Sequence, residues 1–178
     1  MAVSNVKIDK NIPLKEVEYR VPTERQRHAT RLEYERHFRK DFLEHIAKHE
    51  REKLVESGLW DSLIDRTLTR GKTPPGWGVH HKLPIHGGGQ NTFENAIFIR
   101  FSEHFQIHRY VDSLIEGMED GDVRSISMPF PEGLVCVPQD KQEHFNVQKH
   151  EESPEERKAR VEKNRREKKR EYAERVKN

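Results

Sequence analysis

Cysteine is almost absent from this chain, with Cys136 standing alone. A single thiol excludes an intramolecular disulfide framework and fits a fold kept in a reducing compartment. Apolar residues are scarce as well. At 32% hydrophobic and 36% charged, the chain falls short of the roughly 45–50% apolar share of an average domain. That leaves material for one small core and requires some segments to be solvated. No hydrophobic run is long enough for a membrane-spanning helix, so membrane insertion is not expected. The N-terminal stretch "MAVSNVKIDKNIPLKE" holds no apolar segment of signal-peptide type. An excess of one charge sign is also missing. Net charge is +2 with histidines neutral, so the whole-chain balance drives binding to nucleic acid only weakly.

What is there is organised in blocks. The 178 residues suit one domain with appendages. Residues 1–22 read as an irregular lead with Pro13 and Pro22. Thr23 is placed to cap a long helix reaching Ser57, on which Phe38, Phe42 and Ile46 share a face. Gly58 ends it. A second helix is expected from Trp60 to Thr69, with Trp60, Leu63, Ile64 and Leu68 on one side and Gly71 as its stop. "GKTPPGWG" is loop. The tryptophans Trp60 and Trp77 are expected in the core.

Val79 to Ile85 suits a short strand or ordered coil, and "ENAIFIRF" a buried strand. Ser102 is the expected N-cap of a helix running to Glu116. Gly117 and Gly121 flank an acidic turn. Within 123–138, Ile126, Met128 and Phe130 alternate, and a hairpin is expected around "PFPEG". Residues 139–152 form a polar linker. Ser153, Pro154 and Glu156 then open a charged helix with a capping box. From Pro154 to Asn178 there are 11 Lys and Arg against 6 Glu, a local +5.

Histidines carry the chemistry. "GVHHKLPIHGGGQN" holds His80, His81 and His86, and "NAIFIRFSEHFQIH" holds His104 and His108. His104 and His108 are four apart on an expected helix and so share one face. Taken alone, that pair fits surface packing equally well. The order strand, strand, helix adds a donor from the first strand. Three nitrogen donors with an open position is the pattern of a catalytic metal site. A structural zinc knot would need a fourth ligand, which Cys136 or His86 could supply. On an extended chain the neighbour of a ligand points to the opposite side. One of His80 and His81 is therefore free to act as a base.

"HHKLPIHGGG" followed by "FENAIFIRFSEHFQIHR" resembles the HNH, or ββα-metal, nuclease motif of the colicin and S-type pyocin DNases. The shared features are His80, His81, Pro84, Ile85, Gly88, Gly89, Asn95, His104, His108 and Arg109. The motif covers about 30 residues, with a fainter likeness upstream in "HFRKDFLEHIAK" and "DRTLTRGKTPPG". The resemblance implies an α+β fold, with a mainly helical N-terminal part leading into a ββα-metal core over 78–117, inside a nuclease domain spanning 23–138. A possible short β-hairpin and the charged C-terminal helix follow the core.

It also implies roles. His80, His104 and His108 would hold one divalent ion (Zn²⁺, Ni²⁺, Mg²⁺ or Mn²⁺). His81 would be the general base that activates water. Asn95 would hydrogen-bond near that base and fix the loop between the strands. Those nucleases carry an Arg and a Glu ahead of the His pair. Here Pro74 and Gly78 occupy the positions, and Arg109, Arg70 and Lys72 are the substitutes considered for phosphate contact. His86 is read as exposed, or as a group supporting the ligands.

The expectation is a metal-dependent DNA endonuclease of low sequence specificity acting as an antibacterial toxin. Partners would be DNA, a cognate immunity protein and a secretion apparatus or adaptor met by the C-terminal region. Such a protein is made in the cytoplasm, exported by a specialised system and active in the target-cell cytoplasm. Alternatives are a phage or mobile-element HNH endonuclease, a non-catalytic zinc-stabilised nucleic-acid-binding module, and an adaptor whose charged ends bind protein partners.

Overall fold

The computed structural model describes residues 12–137. The polar linker and the charged helix expected beyond residue 138 lie outside the described residues. The fold is mixed α/β, with two small antiparallel sheets. β1 (Leu14–Arg20) pairs with β4 (Val123–Pro129), setting Val17 opposite Ile126. β2 (Trp77–His81) pairs with β3 (Ala96–Arg100), setting His80 opposite Ile97 and His81 opposite Ala96.

The expected irregular lead is therefore corrected over 14–20, which form a strand. Its local pattern is weak because only Tyr19 is fully buried among charged neighbours. Its partner also lies more than a hundred residues away, beyond the reach of short-range periodicity.

The expected long first helix is segmented. α1 (Glu24–Glu33) starts at Thr23, whose side chain accepts from the Gln26 backbone while the Gln26 side chain accepts from Thr23, a complete capping box. A π-helical turn (Tyr34–Phe38) follows, then α2 (Arg39–His49). The chain bends at Glu50 into α3 (Arg51–Glu56). The second helix is shorter than expected: α4 (Asp61–Arg66) gives way to a 3-10 turn (Leu68–Arg70). Trp60 precedes α4 and is 42% exposed, whereas Trp77 is buried and stacks on Phe98 with ring centroids 4.9 Å apart.

α5 (Phe101–Leu114) follows β3 directly. Ser102 is not its cap. Arg100 holds the N-cap position without a side-chain capping bond, its guanidinium donating to the Ser57 carbonyl instead, and the Ser102 hydroxyl donates to Glu103 Oε2 at 2.6 Å. β3 runs straight into the helix, so the capping position falls at Arg100, ahead of the Ser102 that composition suggests.

The expected hairpin around "PFPEG" does not form. β4 already pairs with β1, and Pro129 and Pro131 have no N–H to offer a second strand. The chain instead returns to β3, where the Phe98 amide donates to Leu134 and the Cys136 amide to Phe98.

β3 is buried on both sides and separates two clusters. Phe38, Phe42, Leu43, Ile46, Leu54, Ile64 and Leu68 pack with Trp77, Ala96 and Phe98 on one face. Tyr19, Val21, Ile107, Val111, Ile126 and Met128 pack with Ile99 on the other. Period-2 alternation of β2 and β3 thus feeds two half-cores. Fully burying one such aliphatic or aromatic side chain stabilises by about 1.5–3 kcal/mol. That is how a chain poor in apolar residues sustains the fold.

Candidate metal centre

Alternation decides where the two adjacent histidines go. His80 shares a face with Ile97 and Ile99 and turns toward α5. His81 shares a face with Ala96 and Phe98 and turns toward the N-terminal helices. One α-helical turn, meanwhile, stacks His104 and His108 on the side of α5 that meets β2.

The three side chains His80, His104 and His108 converge, with one ring nitrogen from each lying within 4.8 Å of the others. His104 Nε2 and His108 Nε2 are 2.9 Å apart. His80 meets both rings edge-on, at centroid distances of 4.9 and 5.1 Å. His80 is 2% exposed, and its Nε2 is enclosed without a hydrogen-bond partner. An enclosed imidazole nitrogen with no hydrogen-bond partner, on a ring that meets two other imidazoles, fits a metal ligand. Tetrahedral Zn–N bonds of about 2.0–2.1 Å place ligand nitrogens roughly 3.3 Å apart, within reach of this geometry. Neither Cys136 nor His86 belongs to the group, so the fourth ligand of a closed knot is not present among the described residues. His86 is exposed and its Nδ1 lies 3.2 Å from the Tyr19 hydroxyl.

Electrostatics favour lone pairs over protons. Burial, then the charges of His104, His108 and His81, hold His80 well below the usual imidazole range. Burial and the His108 charge bring His104 down to about 4. Burial lowers His108 too, with Asp112 opposing. At neutral pH all three rings are neutral, which a metal requires of its imidazole ligands.

His81 stands beside this group in a different environment. Its ring lies 5.0 Å from Tyr34 and 6.1 Å from Phe38, both on the π-helical turn. Burial lowers its pKa, against the opposing effects of the Asn91 hydrogen bond and Glu33. His80, His81, His104 and His108 line a cavity of about 210 Å³ together with Arg31, Tyr34, Glu35, Val79, Pro84 and Ile85. A helical interruption of this type is frequent where function is housed. Here it brings two aromatic rings against one imidazole.

Asn95 closes the loop between β2 and β3. Its Oδ1 accepts from the Leu83 amide at 2.8 Å, and its Nδ2 donates to the carbonyls of Leu83 and Gln90, both at 3.0 Å. Its own carbonyl accepts from the Lys82 amide at 2.7 Å. It makes no hydrogen bond to His81; Asn91 does. The loop is so tight that a Cβ on Gly89 would sit 1.7 Å from the Leu83 carbonyl oxygen.

Of the residues considered for phosphate contact, Arg70, Lys72 and Arg109 are all exposed, and none lines the cavity. Arg31, which the motif spacing does not reach, does line it. Gly78 also acquires a reason: a Cβ there would meet Phe101 Cε1 at 2.7 Å. The Phe101 ring occupies the space a side chain at 78 would need. Arg31, Tyr34 and Asn91 were not singled out by sequence, because their roles arise from α1 and the following turn docking on the loop. The histidine spacing carries no trace of that docking.

No family model matches the chain, and no solved structure matches it. The chain is similar to the uncharacterized protein YhhZ of Escherichia coli (strain K12), 28% identical over 109 residues. The alignment takes in 61% of this chain but 27% of that protein.

Proposed function

We propose that this chain is a metal-dependent HNH-type endonuclease that hydrolyses DNA phosphodiester bonds with low sequence specificity. The observation that carries the reading is the division of labour across β2. Three neutral imidazoles converge from one face of the strand, and a fourth, His81, lies on the other face beside the same cavity. The resemblance of the motif to the colicin and pyocin DNases supplies the choice of phosphodiester chemistry.

His80, His104 and His108 would hold one divalent ion. Such an ion supplies charge neutralisation at a phosphate and at a departing oxygen. The chain's own groups do the rest. His81, kept neutral by burial, can accept a proton from a water molecule. The aromatic rings of Tyr34 and Phe38 exclude solvent from one side of it. Arg31 projects a fixed positive charge at the cavity lining, where a phosphate oxygen would lie. Asn95 keeps the β2–β3 loop closed so that His80 and His81 hold their opposed directions.

The deciding experiment is plasmid cleavage across Mg²⁺, Mn²⁺, Ni²⁺ and Zn²⁺, with His81→Ala alongside. Native protein should nick DNA with at least one ion and the variant should not. Equal nicking by both would remove His81 as the base. No cleavage with any ion would favour the non-catalytic metal-stabilised binding module. The biological setting we propose is that of an antibacterial toxin with a cognate immunity protein, the setting of the DNases the motif resembles. Protection of a producing strain by an adjacent acidic reading frame tests it.

A further inference from the structure

Asn91 is half-buried in the loop before β3, four residues ahead of the asparagine that the motif singles out. Its Nδ2 donates to the Thr30 carbonyl at 2.9 Å and to Glu33 Oε2. Both acceptors belong to α1. An amide nitrogen has two hydrogens, and both are thereby committed. Reversing the amide would set its oxygen against a carbonyl and a carboxylate, three acceptors with no hydrogen among them. The orientation of Asn91 is therefore fixed by its surroundings rather than free to turn.

With that orientation, the Asn91 atom facing His81 is Oδ1, 2.9 Å from His81 Nε2. A carbonyl-type oxygen only accepts, so the hydrogen of the bond sits on Nε2. A neutral imidazole carries one N–H, and the bond at one nitrogen decides the tautomer of the whole ring. Nδ1 keeps the lone pair. It has no hydrogen-bond partner among the described residues, nor is it one of the fully enclosed polar atoms. Water can therefore reach it.

We propose that Asn91, anchored by Thr30 and Glu33, is the positioning residue of His81, holding the neutral imidazole as its Nε2–H tautomer and leaving Nδ1 as the atom that takes a proton. This rests on the reading of His81 as the base. In the step, the water oxygen forms its bond to phosphorus while one water proton passes to the Nδ1 lone pair. The bond from phosphorus to the sugar oxygen breaks, and its electron pair leaves with that oxygen, which is protonated from solvent. Asn91 touches neither water nor phosphate; it acts only through the ring.

The test is long-range ¹⁵N–¹H correlation of the imidazole of His81 in the full chain at neutral pH, with Asn91→Ala and, as the conservative variant, Glu33→Gln. Glu33→Gln removes the carboxylate charge but leaves an amide oxygen to accept from Asn91 Nδ2, so Oδ1 still faces His81. Native protein should show nitrogen-bound hydrogen on Nε2 alone. Asn91→Ala should give a tautomer mixture, with kcat lowered about 10–100-fold at unchanged KM and unchanged metal affinity. Glu33→Gln should keep both the tautomer and most of kcat, and native-like metal affinity in Asn91→Ala excludes misfolding as the cause of its loss. Hydrogen on Nδ1 in the native protein overturns the proposal whatever the cleavage result. A lost tautomer with unchanged kcat overturns the positioning role. Absence of DNA cleavage in native protein with the Nε2–H form intact removes the nuclease reading and leaves the tautomer assignment standing.

Discussion

His80 and His81 are bonded neighbours that face opposite sides of β2: the first meets His104 edge-on at 4.9 Å, the second lies 5.0 Å from Tyr34. Their substitutions should therefore separate. His80→Ala should weaken divalent-metal affinity by at least about 100-fold, since even a supporting residue of a metal site is worth about 10–100-fold. His81→Ala should leave affinity nearly unchanged and lower cleavage by about 10²–10⁴-fold. Calorimetric titration with Zn²⁺ and a plasmid assay on the same preparations read the two effects. Loss of metal in both variants would falsify the division across the strand.

Metal-free protein should lose stability on mild acidification. The three clustered histidines have folded-state pKa values below their unfolded ones, His104 at about 4. Between the unfolded value near 6.5 and the folded values, the unfolded chain binds more protons, so stability falls as pH falls. The contribution is complete above about pH 6.5 and declines through the window toward about 4. Urea midpoints at pH 7.5 and pH 5 should differ, with the higher midpoint at the higher pH. In His104→Ala the difference should shrink.

Asn95→Ala removes an acceptor and two donors from the β2–β3 loop. Three lost bonds, with backbone groups left partly enclosed, should cost about 2–4 kcal/mol. Gly89→Ala should act on the same loop through the clash with the Leu83 carbonyl. Both belong in denaturant unfolding with metal present and absent. Native-like midpoints would show that the loop does not depend on this clamp.

Arg31→Ala should weaken DNA binding and reduce the slope of log affinity against log salt by about one. Arg70→Ala, Lys72→Ala and Arg109→Ala should each weaken binding less, because none of them lines the cavity. Fluorescence anisotropy with labelled duplex at several salt concentrations ranks the four. If Arg109→Ala had the largest effect, the phosphate path would run over α5 instead.

Much of the layout was legible before any coordinates. Thr23 caps the helix expected to follow it, and Phe38, Phe42 and Ile46 are buried as their spacing requires. The two-residue period sends His80 and His81 to opposite faces, and the four-residue period puts His104 and His108 on one face of their helix. What was illegible shares a cause. β1 pairs across more than a hundred residues, and its charged face hides its inward Tyr19. Ser102 looked like a cap because composition cannot show a strand running directly into a helix. The hairpin around "PFPEG" failed because β4 already had a distant partner.

Local sequence thus determined that His80 and His81 part and that His104 and His108 share a face, since periodicity is a property of the backbone and needs no tertiary context; His80 as their companion was implied by the motif resemblance. Only the tertiary structure decided what surrounds His81. Docking of α1 and its π-helical turn brings Tyr34 beside the ring, Arg31 to the cavity lining and Asn91 to Nε2. Those contacts join segments from about residue 30 and residue 91 whose spacing carries no repeat. Their formation is decided by packing of the helical half-core against β2 and β3.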